Sequence, residues 1–174
     1  MEKNIAVVDG AERFVRWTDR EEVHTRQLLH RSIYVALFDS SGALILQRRH
    51  PEKRTHPDHW DMSCSGHVER EDYPGFPDAR LNEVYAVVAS RELAEVLGVS
   101  VPLRELGHFG PQPGIHYEYF RFYTGTSDGP FKLQEDEVSA VQAVPFSDID
   151  GFLRDADAVT PVLGWLVDWL TCHH

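Results

Sequence analysis

Cysteine is nearly missing from the chain: Cys64 and Cys172 are the only two among 174 residues, and their separation suits no metal-ligand pair. Two such thiols exclude a disulfide framework and a cysteine-held zinc site, and they make a reducing cytoplasm the expected setting. Long apolar runs are missing too. None approaches the roughly 18 residues a membrane helix needs, and Met1-Glu2-Lys3-Asn4-Ile5 opens without the apolar stretch of a signal peptide. Positive charge is short, with 17 Lys and Arg against 28 Asp and Glu. That balance argues against a partner that is a nucleic-acid polymer. An anionic small molecule remains compatible with it, provided a local basic patch or a divalent cation is present. No repeat, low-complexity tract or linker interrupts the sequence. What is there, 42% hydrophobic and 11% aromatic residues, is the composition of one folded domain spanning 1–174. Nothing in the composition reads out an oligomeric state.

Periodicity gives the coarse architecture. Residues 5–8 and 13–17 are short extended pieces around the turn signal Asp9-Gly10, an N-terminal hairpin with a lead-in to residue 30. Residues 32–39 and 43–49 form a second hairpin across Ser40-Ser41-Gly42. The polar, proline-punctuated stretch 50–60 is a loop, 61–67 a weak strand, and 68–77 a charged loop. From Asp78, apolar residues recur every three and four positions up to Gly98, which sits where a helix end favours left-handed backbone. Strands follow at 103–109, 115–124 and 138–145, the middle one expected in the sheet interior. Closing helices occupy 146–174, with Pro161 just inside the last. Strands, one long helix, strands and closing helices predict an α/β fold with a mixed sheet covered by helices.

Chemistry concentrates on the long helix. Glu92 and Glu95 lie on one edge of it, close enough to share an ion, with Arg91 adjacent to offset their repulsion. Hard carboxylate ligands suit Mg²⁺ or Mn²⁺ rather than zinc. Glu83, nine residues before Glu92, projects roughly to the opposite side of an ideal helix. Glu118 sits in the expected interior strand, where an unpaired carboxylate is costly, which makes it a metal or catalytic candidate. Arg48, Arg49 and Lys53 form the best basic cluster for gripping phosphate oxygens. Tyr34, Trp60, Tyr117 and Phe120 are aromatic enough to stack a base, although core or sheet packing is the better account of each.

Ser65-Gly66-His67-Val68-Glu69, then Glu83 and Arg91-Glu92-Leu93-Ala94-Glu95-Val96-Leu97-Gly98-Val99, resemble the Nudix hydrolase signature G-x5-E-x7-R-E-U-x-E-E-x-G-U, with U an apolar residue. The modified box spans 66–99 and departs from the pattern twice. Sixteen residues separate Gly66 from Glu83 where the family has five, an insertion of eleven, and Asp72 stands at the family distance as an alternative first acid. Val96 replaces the second of two adjacent glutamates. Residues 20–150 are similar to the isopentenyl-diphosphate-isomerase-like branch, through Val23-His24-Thr25-Arg26, SIYVALFDSSGALILQRR and His59-Trp60-Asp61.

The resemblance implies a Nudix-type α/β/α sandwich and Mg²⁺-dependent hydrolysis of a phosphoanhydride in a nucleotide, with Mn²⁺ a possible substitute. Metal ligands on this basis are Glu92, Glu95, Glu83 and the Gly66 backbone. Arg91 and Glu118 join Glu92 and Glu95 as catalytic residues. Glu83, Asp72 or a late carboxylate, among Glu118, Glu135 and Glu137, has to complete the shell that Val96 leaves short. Two alternatives accompany this reading. One is an isopentenyl-diphosphate isomerase, whose metal ligands His24, His30, His67 and Glu118 partly echo, but whose catalytic Cys is replaced by Ser65. The other is a non-catalytic nucleotide-binding module.

Overall fold

The computed structural model describes residues 4–173, so Met1 to Lys3 and His174 lie outside it. Strands β1 (Asn4–Val8) and β2 (Phe14–Asp19) form the antiparallel N-terminal hairpin. The carboxylate of Asp9 closes its turn by accepting from the backbone N–H groups of Ala11 and Arg13 at 2.8 and 2.9 Å. Asp19 then caps the short helix α1 (Arg20–Thr25), accepting from Glu22 N–H at 2.7 Å.

The second sheet is organised around β3 (His30–Phe38), all nine residues of which are buried. On one edge β3 pairs in parallel with β8 (Glu118–Thr126), which in turn pairs antiparallel with β7 (Arg104–Phe109). On its other edge it meets β4 (Ala43–Arg49) only at Leu37 and Phe38, after which the two strands part. Strand β5 (Trp60–Asp61) stays with β4, and β6 (Cys64–His67) crosses to pair with Ser32 to Val35 of β3. Ser63 pins the crotch of this fork, accepting from Leu37 N–H at 2.8 Å and donating to the Ile45 carbonyl. The outer edge of β4 is completed by β9 (Val138–Pro145).

Side-chain alternation along β3 feeds two cores. Ile33, Val35 and Leu37 pack under α2 (Leu81–Leu97), whose Val84, Tyr85, Val88 and Leu93 are buried. Tyr34, Ala36 and Phe38 pack on the opposite face with α3 (Ile149–Asp155) and Leu163, Leu166, Val167 and Leu170 of α4 (Pro161–His173). The result is a mixed sheet between helical layers, the α/β/α arrangement expected from the sequence.

Two boundaries differ from the sequence expectation. Helix α2 starts at Leu81 rather than Asp78 because the Asp78 carboxylate is already engaged. It accepts from Phe14 N–H at 2.9 Å and from the Arg31 guanidinium at 2.7 Å. Strand β8 starts at Glu118 rather than at residue 115, because Ile115 and His116 N–H both donate to the Gln112 carbonyl and close a turn. Glu118 therefore opens its strand and reaches the sheet's end. The described residues contain no helix long and apolar enough to cross a membrane.

Candidate active site

Where β3 and β4 part, a cleft of about 340 Å³ opens between α2 on one side and the start of α4 on the other. One pole of it carries carboxylates. Glu92 and Glu95 reach it from α2 and Glu69 from the chain just after β6. Gly66 is required beside them: a Cβ there would lie 2.5 Å from Glu92 Cγ and closer still to its carboxylate. Only a residue without a side chain lets Glu92 lie flat over β6. Arg91 stands behind this pole, 3.1 Å from Glu92, 3.5 Å from Glu95 and 3.0 Å from Asp72. The last contact ties the helix to the inserted segment. There Asp72 also accepts from Glu69 N–H at 2.8 Å and so fixes where Glu69 begins its turn.

The other pole carries imidazoles. His24 from α1, His30 from β3 and His67 from β6 cluster edge-to-face or tilted, with ring centroids 5.0 to 5.8 Å apart. Glu118 faces them, with Oε1 at 3.3 Å from His30 Nε2 and 3.7 Å from His67 Nε2, while Ser32 donates to its Oε2 at 3.1 Å. His30 Nδ1 lies 2.8 Å from the Leu28 carbonyl. A carbonyl only accepts, so Nδ1 holds the proton and Nε2 of the neutral ring is a bare lone pair. That atom is buried and makes no aligned hydrogen bond; its 3.3 Å approach to Glu118 is a charge contact only. A lone pair and a carboxylate oxygen facing each other fit a cation held between them, as the mutual proximity of ligand atoms from His30, His67 and Glu118 within 4.8 Å also shows.

These surroundings set the titration of the pole. Burial, then the neighbouring charges of His30 and Arg20, hold the His24 imidazole down to about 4. Burial and His30 push His67 well below the ordinary histidine range, and burial also lowers His116. Burial opposes ionisation of Glu118, but the His30 contact and the charges of His30, His67 and His116 outweigh it and keep its carboxyl far below the usual range. A folded-state pKa below the unfolded value gives stability that is complete above the unfolded value and lost as pH falls toward the folded one. The metal-free protein is therefore expected to lose stability between pH 7 and 5, with half-buried His24 accounting for about 1 kcal/mol or less once solvent screening is allowed for. Urea midpoints across that interval should fall in the parent and flatten in His24→Asn; a level parent curve contradicts the assignment.

The sequence-selected residues divide. Glu92, Glu95, Gly66, Glu118, Arg49 and Lys53 all line the cleft. Arg48, the intervening residue of β4, points to the other side and pairs with Asp58 and Asp157, both at 2.8 Å. Glu83, expected from the resemblance to be a metal ligand, instead lies in the first, exposed turn of α2, paired with Arg80 and outside the cleft, because it projects from the side of the helix opposite Glu92. Lys53 is paired with Glu137, and the Arg49 guanidinium is anchored on the Thr55 and His56 carbonyls. Trp60 and Phe120 are core residues; of the four aromatics, Tyr34 and Tyr117 line the cleft and Tyr117 is the exposed one. Missed at the sequence level were Glu69, read only as part of the signature's opening, and Arg20, which falls in the lead-in to residue 30. Arg20 lines the cleft and makes no ion pair or hydrogen bond among the described residues. Glu135, by contrast, is exposed outside it. Cys64 is fully buried in the α2 core and burial pushes its thiol well up, whereas Ser65 faces the cleft.

A mixed sheet forked over a helix-borne carboxylate pair, with glycine beneath the first carboxylate, defines a class of fold. The Nudix-domain model matches residues 28–165, and the chain belongs to the Nudix family. It is similar to an uncharacterized Nudix hydrolase of Pseudomonas aeruginosa, 34% identical over 80% of this chain and 77% of the relative. It is also similar to isopentenyl-diphosphate delta-isomerase 2 of Photorhabdus laumondii, 27% identical over 93% of this chain and 88% of that one. A crystal structure of a Deinococcus radiodurans protein shares the fold, with a TM-score of 0.80 at 22% identity, covering 99% of this chain and all of the other.

Proposed function

We propose that the protein, read as one domain over 1–174, hydrolyses a phosphoanhydride bond in a nucleoside di- or triphosphate or a related nucleoside diphosphate derivative. The observation that supports this most is the pole formed by Glu69, Glu92 and Glu95 over Gly66. Hard carboxylates lining one side of the cleft suit Mg²⁺, with Mn²⁺ as a substitute, and Glu69 is the carboxylate that would join Glu92 and Glu95 in place of Val96, while the ligand atoms that lie within 4.8 Å of one another are those of His30, His67 and Glu118. Such an ion, when bound, neutralises phosphate charge and acidifies water.

The chain's own residues supply the rest. Arg20, Arg49 and Lys53 hold the phosphate oxygens, and Arg91 fixes the rotamer of Glu92 from behind. Glu92 or Glu69 takes the proton of the attacking water. Glu118 sits at the imidazole pole, 3.3 Å from His30 Nε2 and 3.7 Å from His67 Nε2, and serves with His30 and His67 as a ligand group. The assay is phosphate release from a nucleotide panel with Mg²⁺ or Mn²⁺. Turnover of at least one nucleotide is expected, and none on any member rejects the reading.

The imidazole pole and the Photorhabdus relative favour isopentenyl-diphosphate isomerisation as the second reading. Against it, the cleft offers the Ser65 hydroxyl where those isomerases use a thiol, and Cys64 faces the core. Isomerisation of isopentenyl diphosphate without nucleotide turnover would install this alternative.

A further inference from the structure

One wall of the cleft has an amide that the fold leaves unused. Gln47 on β4 is only 4% exposed and lines the cleft, yet its side chain has no hydrogen-bond partner among the described residues. Its amide is not among the sealed, unpartnered polar atoms of the described residues, so what little exposure it keeps opens onto the cleft, where a ligand can reach it. The residue opposite it in the β4–β5 register is Asp61, 2% exposed and also lining the cleft. Asp61 Oδ1 is saturated by Met62 N–H at 2.8 Å and the Thr160 hydroxyl at 2.9 Å. Its Oδ2 has only a long contact, 3.4 Å, to Arg49 Nη1, and so keeps capacity to accept. Opposed residues of adjacent strands present their side chains on the same face, about 5 Å apart.

We propose that Gln47 and Asp61 form the specificity subsite for the organic end of the substrate and read the hydrogen-bonding edge of a nucleobase. Asp61 accepts from a ring or exocyclic N–H, and the Gln47 amide pairs with the acceptor beside it. The match rests on the hydrolase reading above and sharpens it, because an edge with N–H next to an acceptor belongs to nucleobases and not to base-free diphosphates. An isopentenyl chain on this wall would leave both groups buried without partners.

The test compares the parent with Gln47→Met on nucleoside triphosphates and on inorganic tripolyphosphate, with Mg²⁺. For the nucleotides kcat/KM should fall roughly ten- to hundredfold, mainly through KM, while the tripolyphosphate rate and the thermal midpoint hold. Equal losses on both substrates would make Gln47 a phosphate contact, and no loss on either would make it a packing residue; either result overturns the subsite. A collapsed thermal midpoint assigns Gln47 to the fold and overturns it as well. If the parent hydrolyses neither substrate, the hydrolase reading fails, and calorimetric binding of nucleoside diphosphates decides the subsite. Binding weakened in Gln47→Met and in Asp61→Asn supports it, whereas no binding to the parent, or equal binding, removes it.

Discussion

Glu92→Gln is expected to lower kcat for nucleotide hydrolysis by roughly three orders of magnitude while leaving the fold in place. The substitution keeps the shape that Gly66 accommodates and removes only the charge. Its position is dictated twice, from below by a β6 glycine and from behind by Arg91 at 3.1 Å, so no neighbouring carboxylate swings into the vacated role. The stability cost is small. Arg91 retains Asp72 at 3.0 Å and Glu95 at 3.5 Å, and a partly exposed ion pair is worth about 0–1 kcal/mol. Glu95→Gln provides the internal comparison: its side chain is 52% exposed against 13% for Glu92, so solvent screens it more and its loss should cost less. Single-turnover rates with saturating Mg²⁺, alongside urea unfolding, check both halves. A Glu92→Gln enzyme within tenfold of the parent would move the chemistry to another part of the cleft.

Glu92, Glu95 and Gly66 were legible in the sequence because helix periodicity and motif spacing are local properties. The eccentric position of Glu83 was legible for the same reason. The third carboxylate of the cleft wall was not. Glu69 reaches the cleft because the inserted segment turns back on Asp72, a contact set by Arg91 from 19 residues away. Arg48 and Arg49 show the opposite failure. As adjacent strand residues they point to opposite faces, which alternation predicts, yet composition alone grouped them as one basic patch. Arg20 and the clustered histidines come from elements brought together only by the forked sheet, a long-range consequence of β6 pairing with β3. Gln47 carries no motif at all. Its significance appears only once burial and the absence of a partner among the described residues are known.

Arg31→Met is expected to destabilise the protein by about 3–5 kcal/mol, the cost of removing one partner from a buried charged network. Arg31 is fully buried on β3 and spends its guanidinium on the two segments flanking the sheet. Nη2 donates to the Glu12 carbonyl at 2.6 Å and to Asp78 at 2.7 Å, and Nη1 donates to the Pro77 carbonyl at 2.8 Å and the Tyr73 hydroxyl at 3.3 Å. Methionine fills the volume and leaves the Glu12 and Pro77 carbonyls without this donor, while Asp78 retains Phe14 N–H at 2.9 Å. Glu12 keeps its contacts with His108 at 2.8 Å and Tyr85 at 2.7 Å, but it sits at φ +60°, a conformation that needs holding. The eleven-residue insertion is thus a strap sewn to the N-terminal hairpin rather than a free lid. Its other end, through Asp72, positions Glu69 and Arg91. Activity in Arg31→Met should therefore fall by a smaller factor than in Glu92→Gln, and limited proteolysis should shift to residues 68–80. An unfolding free energy within about 1 kcal/mol of the parent, well below the range for a broken buried pair, would show that the strap is held elsewhere.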